Sequence, residues 1–203
     1  MQVPPIVTRP NLARFPLIVV EGGSGVGKST VAKALAEHLG GTYLHGPPDE
    51  MSALRSLLDA PSDPLRPLFF AMGNALSSRT AEIHLSRGPV ILDRYIYTTV
   101  AWHLALGYDV SLPWAALDLL RPDTGFLLVA NETTRRGRLQ TRSGAPTGSD
   151  LQSEQNPTQW ESYLAALSAY GLVTLDTSLE APQAVVRRML DHMPPTESAR
   201  QGP

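Results

Sequence analysis

Residues 22–29, with the sequence GGSGVGKS, could bind the phosphates of a nucleotide. They fit the pattern G-x-x-x-x-G-K-[ST] and follow a short apolar run at residues 17–20. Glycines let backbone N–H groups turn inward around phosphate oxygens, and the helix that follows adds the positive end of its dipole. In such a loop Lys28 reaches the β- and γ-phosphates, and the Ser29 hydroxyl ligates Mg²⁺. The residues expected to contact ATP are Gly22, Gly23, Ser24, Gly25, Val26, Gly27, Lys28, Ser29 and Thr30.

A second candidate for phosphoryl chemistry is the segment VILDRY at residues 90–95. Asp93 follows an apolar run, so its carboxylate would stand at the end of a buried strand and could hold Mg²⁺ opposite Ser29. Arg94 comes next at the rim, where it could bind an anionic acceptor through two parallel hydrogen bonds. The alternative is a helix N-cap aspartate followed by a surface arginine. The presence of the phosphate loop favours the catalytic interpretation.

A third candidate is a group of arginines on one predicted helix at residues 132–142. They are Arg135, Arg136, Arg138 and Arg142. Charge that spreads over the γ-phosphoryl oxygens in the transition state needs cationic partners, and closing arginines provide them. The segment at 143–156 that follows is long and rich in glycine and serine, as in a disordered connection or an active-site lid. A solvated basic helix face is the alternative, and the sequence does not rank the four arginines.

Alternating strands and helices must position these residues. Apolar runs at 17–20, 42–44, 90–92, 126–130 and 172–175 predict strands, and several are continuously apolar, as in strands covered on both faces. Helical patterns cover residues 28–39, 50–59, 65–86, 94–106, 113–120, 132–142, 157–170 and 182–192. Repeated strand–helix–strand units indicate an α/β fold with a five-stranded parallel sheet between helices. Ligands of such sheets bind beyond the carboxyl ends of the strands.

Length and composition fit one domain. The chain has 203 residues, of which 42% are hydrophobic and 18% are charged. Its net charge is −2, and it contains no cysteine. We expect a domain at residues 15–193 with a lid at about 135–156, flanked by poorly ordered tails at 1–14 and 194–203. No apolar run approaches the ~20 residues that span a bilayer, and no basic excess points to nucleic acid. A cytoplasmic protein that acts on a small molecule is the simplest interpretation, with a homodimer left open.

Together these motifs resemble the thymidylate kinase family of P-loop kinases over roughly residues 16–192. The order is EG-x-x-G-x-GK-ST, a Pro-containing loop, a helix that begins with LFFAMGNA, then LDRY, a strand after Pro122 and Asp123, and an arginine-rich lid. The resemblance implies a P-loop kinase fold with a mobile lid. It also implies Mg²⁺-dependent transfer of a phosphoryl group from ATP to a nucleoside monophosphate or a related small acceptor.

The resemblance further implies roles for single residues. Phe70 would stack on the base of the acceptor, and Arg94 would hold its phosphate. The acceptor-binding set is then Phe70, Asn74, Arg94 and Tyr95. The metal would be held by Ser29 and Asp93. The catalytic set is Lys28, Asp93, Arg94, Arg138 and Arg142, the last two of which would belong to the lid.

The chain departs from the family at positions that face the acceptor. The family usually has a carboxylate inside the phosphate loop, where this chain has Ser24. It usually has an arginine four residues after the stacking phenylalanine, where this chain has Asn74, and its Arg-Glu-Pro-Gly loop is HGPP at residues 45–48. We therefore expect dTMP to be a poor acceptor.

Two alternative functions stay open at this point. One is a kinase for a nucleoside or a nucleoside-like antibiotic, although the related deoxynucleoside kinases carry Glu-Arg-Ser where this chain has DRY at residues 93–95. The other is a nucleotide-dependent switch or ATPase partner protein, but the Asn-Lys-x-Asp that recognises guanine in Ras-like GTPases is absent from the sequence. Trp102 and His103 could line an acceptor pocket, although core packing is the expectation.

Overall fold

A parallel sheet of five strands in the order β2-β3-β1-β4-β5 organises the chain. In the computed structural model, which describes residues 3–58, 63–111, 114–142 and 156–193, the strands are β1 (Leu17–Gly22), β2 (Thr42–His45), β3 (Val90–Asp93), β4 (Thr124–Val129) and β5 (Val173–Asp176). The five predicted strands and their parallel arrangement are confirmed. The segment 143–155, which is most of the expected lid, and the tail from 194 lie outside the described residues.

Seven helices pack around this sheet within the described ranges. They are α1 (Lys28–Leu39), α2 (Ser52–Leu57), α3 (Arg66–Leu85), α4 (Ile96–Ala105), α5 (Glu132–Thr141), α6 (Pro157–Ser168) and α7 (Pro182–Asp191). Short 3₁₀ turns at Asp49–Met51 and Trp114–Leu117 complete the described elements. These helices flank the sheet as the strand–helix alternation predicts.

Two helix predictions need correction. The pattern at 113–120 gives only the short 3₁₀ turn, because Asp118 has a left-handed φ of 50° and the backbone N–H of Leu120 donates to Ser78 Oγ at 2.8 Å. The helix predicted from Arg94 begins at Ile96 instead, because Arg94 has a φ of 70° and Tyr95 is extended. Both exceptions arise from tertiary contacts or special backbone conformations that override a helical pattern.

The central strand β1 is buried along its whole length, which explains its continuous apolar sequence. Leu17 and Val19 join a core with residues of α3 and α4, whereas Ile18 and Val20 join a second core with residues of α1 and α7. Alternate side chains of a strand point to opposite faces, so one strand contributes to both cores. The carboxyl end of β1 is thereby fixed between two helical layers.

The N-terminal segment, which we expected to be poorly ordered, is anchored at Arg9. Its backbone N–H donates to Leu119 O at 2.8 Å, and its guanidinium pairs with Glu82 at 2.7 Å and with Asp118 at 2.8 Å. These contacts connect the segment to α3 and to the turn before β4, while the expected tail and the limits of the domain stay predictions. In the part of the chain that the structure describes, no helix is both long and apolar enough to cross a membrane.

Candidate active site

A cavity of about 690 Å³ lies at the carboxyl edge of the sheet. Its walls include the phosphate loop after β1, residues 45–47 after β2, Arg94 after β3 and Thr177 after β5. Phe70 and Asn74 of α3 also line it. The phosphate loop and the candidate acceptor residues therefore share one continuous space.

The phosphate loop takes a conformation that requires glycine. Gly22, Gly25 and Gly27 have φ values of 139°, 82° and 90°. A Cβ atom at Gly22 would lie 2.3 Å from the backbone oxygen of Leu128 on the neighbouring strand β4. Lys28 Nζ donates to Gly23 O at 2.5 Å, which folds the lysine back over the loop toward the space that phosphates would fill.

Asp93 and Ser29 meet across the gap between β3 and α1. Ser29 Oγ donates to Asp93 Oδ2 at 2.5 Å, and the Tyr43 hydroxyl donates to the same oxygen at 3.1 Å. Burial, followed by the charge of Asp93, raises the pKa of Tyr43, which keeps its hydroxyl a donor. The other carboxylate oxygen, Oδ1, is buried and has no hydrogen-bond partner among the described residues.

This pair suits Mg²⁺. The buried Oδ1 of Asp93 leaves an acceptor unsatisfied, and the Ser29 hydroxyl is the second oxygen ligand at hand. Among the described residues, no group of three or more His, Asp or Glu side chains could hold a metal by itself. Mg²⁺ commonly binds one or two protein oxygens together with substrate phosphates, and that coordination matches a site of this size.

The four arginines on and just after α5 separate into two pairs. Arg138 and Arg142 line the cavity, whereas Arg135 and Arg136 do not. Arg138 donates to Thr177 through Nη1, at 3.0 Å from Oγ1, and through Nη2, at 2.6 Å from the backbone oxygen. A Cβ atom at Gly27 would lie 3.6 Å from Arg138 Nη1, so the guanidinium stands beside the phosphate loop.

The other two arginines have structural partners. Arg135 is 3% exposed, pairs with Glu132 at 2.7 Å and stacks 5.1 Å from the ring centroid of Trp160. Arg136 is exposed and pairs with the same carboxylate at 2.5 Å. The side chain of Asn131 caps this helix by accepting from the Thr134 N–H at 2.8 Å. Of the four arginines, Arg138 and Arg142 thus border the cavity, and their expected catalytic role stays a prediction.

Phe70 forms an aromatic wall of the cavity. Its ring is half-buried, and the guanidinium groups of Arg55 and Arg66 lie 5.7 and 5.5 Å from its centroid. His103 packs 5.4 Å from the Phe70 ring. The ring is therefore held from several directions while it still borders the open space.

Two polar but uncharged side chains, Asn74 and Thr99, also line the cavity. Asn74 Nδ2 donates to Thr99 Oγ1 at 2.9 Å, and both side chains line the cavity. His103 lies behind them, 1% exposed, and its Nδ1 donates to the Thr99 carbonyl oxygen at 2.6 Å. Burial lowers the pKa of His103 to about 4, so the ring is neutral at pH 7. His103 packs in the core as expected, while Trp102 contributes to the cavity wall.

The DRY segment divides its side chains between the site and the core. Arg94 lines the cavity, and its Nη1 lies 3.3 Å from Gly22 O and 3.4 Å from the Tyr163 hydroxyl. Tyr95 borders the same cavity, but its side chain is 1% exposed and its hydroxyl donates to Leu120 O at 3.2 Å. The expected acceptor-binding role of Tyr95 therefore has no support from its hydroxyl, because that group points into the core.

Sequence analysis missed several residues around the site. Glu21 is fully buried and accepts from the backbone N–H of Tyr95 at 2.9 Å. Burial raises the pKa of Glu21 to about 7, against the opposing effects of the Thr98 hydroxyl and Arg94. Trp160 packs on the phosphate loop, since a Cβ atom at Gly23 would lie 2.4 Å from its ring. The signal in the sequence that could have pointed to Glu21 is a carboxylate at the end of an otherwise apolar strand.

Comparisons with known proteins agree with this geometry. A family model described as thymidylate kinase matches residues 20–188. The chain is 24% identical over 182 residues to a probable thymidylate kinase of Methanocaldococcus jannaschii, covering 87% of this chain and 94% of that one. It is 31% identical over 179 residues to a thymidylate kinase of Xanthomonas campestris pv. campestris, covering 81% and 77%. The solved thymidylate kinase of Candida albicans has a TM-score of 0.67 at 22% identity, covering 90% and 92%.

Arg138→Ala should weaken the binding of a non-hydrolysable ATP analogue about 10- to 100-fold, because a charge-assisted hydrogen bond contributes roughly 1.5–3 kcal/mol. Arg136→Ala is the matched control on the same helix and should change the affinity less than about twofold, since exposed ion pairs contribute little. Isothermal titration calorimetry measures both. Equal losses in the two variants would contradict the ranking of these arginines.

Proposed function

The chain belongs to the thymidylate kinase family and is an ATP-dependent nucleotide kinase, and we propose that its acceptor is a nucleoside monophosphate other than dTMP. The observation that carries the proposal is the shared cavity, whose walls include Lys28 of the phosphate loop as well as Phe70 and Arg94. A donor and an acceptor bound in one enclosed space react as an intramolecular pair.

The donor side of the proposed reaction uses the phosphate loop and α5. ATP would place its β- and γ-phosphates against the loop N–H groups and Lys28, with Arg138 beside Gly27. Ser29 and Asp93 would hold Mg²⁺, which neutralises charge that develops on the phosphate oxygens during transfer. These residues stabilise charge and orient the γ-phosphoryl group, which is most of what phosphoryl transfer requires of a protein.

The acceptor side favours a phosphorylated molecule. The cavity wall carries the guanidinium groups of Arg55 and Arg66 beside Phe70, and Arg94 lines the same cavity. Of the described residues that line the cavity, only Glu180 is a carboxylate, and it pairs with Arg188 at 2.5 Å. This excess of positive charge suits an acceptor phosphate and favours a nucleoside monophosphate over an unphosphorylated nucleoside or antibiotic.

Selection among monophosphates would depend on Ser24 and Asn74. Both side chains are short and uncharged at positions where the family usually has a carboxylate and an arginine. Asn74 is 4% exposed and its Nδ2 already donates to Thr99, so its reach toward a base edge is limited. Two charged contacts are therefore replaced, and each such hydrogen bond contributes roughly 1.5–3 kcal/mol.

We expect kcat/KM for dTMP to lie at least about 10-fold below that of the best monophosphate, because the charged contacts to sugar and base are missing. ADP release with dTMP, dUMP, dCMP, dGMP and the matching free nucleosides tests this. Each monophosphate should exceed its own nucleoside. A kcat/KM for dTMP far above all the others would contradict the proposal, and a preferred nucleoside would support the alternative kinase.

A homodimer is part of the proposal. One face of α3 exposes Leu68, Met72, Leu76 and Ile83, with exposed fractions between 40% and 64%. Their spacing of four and seven residues places them on one stripe, roughly 22 Å long at 1.5 Å per residue. A second copy of the chain could cover this stripe with its own α3 stripe, since a twofold axis brings the same surface of two subunits together.

Leu76→Arg should convert a dimer into a monomer, because a charge in the centre of an apolar interface loses its hydration without a partner. Size-exclusion chromatography with light scattering should give twice the chain mass for the wild type and the chain mass for the variant. Leu12→Arg, at a leucine that is 92% exposed outside α3, is the control and should stay dimeric. A monomeric wild type at high protein concentration would refute the dimer.

A further inference from the structure

A buried hydrogen-bond network connects β1 with the start of α4. One carboxylate oxygen of Glu21 accepts from the backbone N–H groups of Tyr95 at 2.9 Å and Thr98 at 3.3 Å. The other carboxylate oxygen accepts a short hydrogen bond from the Thr98 hydroxyl. The residue that caps α4, Tyr95, makes no side-chain capping bond, so Glu21 serves as the acceptor for that helix end.

This network fixes the direction of the Thr98 hydroxyl when Glu21 is ionised. The one proton of that hydroxyl then goes to the Glu21 carboxylate, so the Thr98 oxygen presents lone pairs to Arg94 Nη1, which lies 3.4 Å away. The Tyr163 oxygen also presents lone pairs to Arg94. Its proton is donated to Gly22 O at 3.2 Å, and the oxygen lies 3.4 Å from the same guanidinium nitrogen. Nη1 of Arg94 thus faces oxygen acceptors from three directions.

The rest of the guanidinium group is left for a ligand. Arg94 Nε and Nη2 have no hydrogen bond to any residue in the described ranges, and the side chain lines the cavity. These two nitrogens form one edge of the planar fork, and that edge matches two oxygens of a phosphate. Which edge faces the cavity depends on where Nη1 is held.

We infer that Glu21, Thr98 and Tyr163 act as positioning residues that hold Nη1 of Arg94 against the protein and direct its Nε–Nη2 edge at the acceptor phosphate. The inference rests on the proposed function, since it requires a phosphorylated acceptor. Glu21 acts through Thr98, because no direct ion pair joins it to Arg94 among the described residues. The carboxylate is the suitable group here, since an amide would turn a donor toward either the backbone N–H groups or the hydroxyl.

Glu21 and Thr98 form a relay, in which the carboxylate directs the hydroxyl and the hydroxyl holds Arg94. Thr98→Val tests this relay, because it removes the hydroxyl and keeps the shape of the side chain. The dissociation constant of the best monophosphate from the substrate panel should rise about 10-fold, as expected for a misdirected charge-assisted hydrogen bond. The dissociation constant of a non-hydrolysable ATP analogue should change less than about twofold. Thr98→Ser keeps the hydroxyl and should bind the monophosphate within about threefold of the wild type.

A second background separates positioning from simple packing. When Thr98→Val is added to the Arg94→Met variant, monophosphate binding should weaken by less than about twofold, because the relay acts only through the guanidinium. Equilibrium dialysis with the labelled monophosphate measures these weaker affinities, and circular dichroism confirms that each variant is folded.

Three results would overturn the inference. In the first, Thr98→Val weakens monophosphate binding equally in the wild-type and Arg94→Met backgrounds. In the second, Thr98→Val weakens binding of the ATP analogue as much as binding of the monophosphate. In the third, Thr98→Ser binds the monophosphate as weakly as Thr98→Val does. If the wild type binds and phosphorylates a monophosphate and Thr98→Val binds it with the same affinity, the relay is refuted but the proposed function is not. A wild type that binds no monophosphate would refute the proposed function, and the relay with it.

Discussion

The parallel pairing of β1 with β3 is the constraint on which the site depends. It places Val20 beside Asp93, so that the phosphate loop leaves β1 where the DRY segment leaves β3. The Ser29 hydroxyl can then reach Asp93 at 2.5 Å, and Arg94 can reach Gly22 O at 3.3 Å. Two segments that are far apart in sequence become one site because two strands end at the same edge of the sheet.

This edge also sorts charge along the cavity. Lys28 and Arg138 lie at the phosphate loop, whereas Arg55 and Arg66 lie beside Phe70 at the aromatic wall. Positive groups at both ends suit two phosphorylated ligands that approach each other with their negative charges screened. During transfer such a site must also exclude water, which would otherwise compete with the acceptor for the phosphoryl group.

Local signals predicted much of the fold and part of the site. The limits of α1 agree with the sequence because Gly27 and Gly40 flank it with left-handed φ values of 90° and 60°. The pattern at 113–120 failed because contacts with distant segments decide its conformation. Glu21 was missed because its partners lie 74 and 77 residues away. The arginines of α5 could not be ranked because Trp160, which covers Arg135, comes from another helix.

In the proposed reaction, the phosphoryl group passes from ATP to a nucleoside monophosphate within this cavity. Transfer of label from γ-³²P-ATP, followed by separation of the products, tests it most directly. We expect the label to appear in the nucleoside diphosphate, in an amount equal to the ADP formed, and only when a monophosphate is present. Label that appears in inorganic phosphate at the same rate with or without the monophosphate would contradict it.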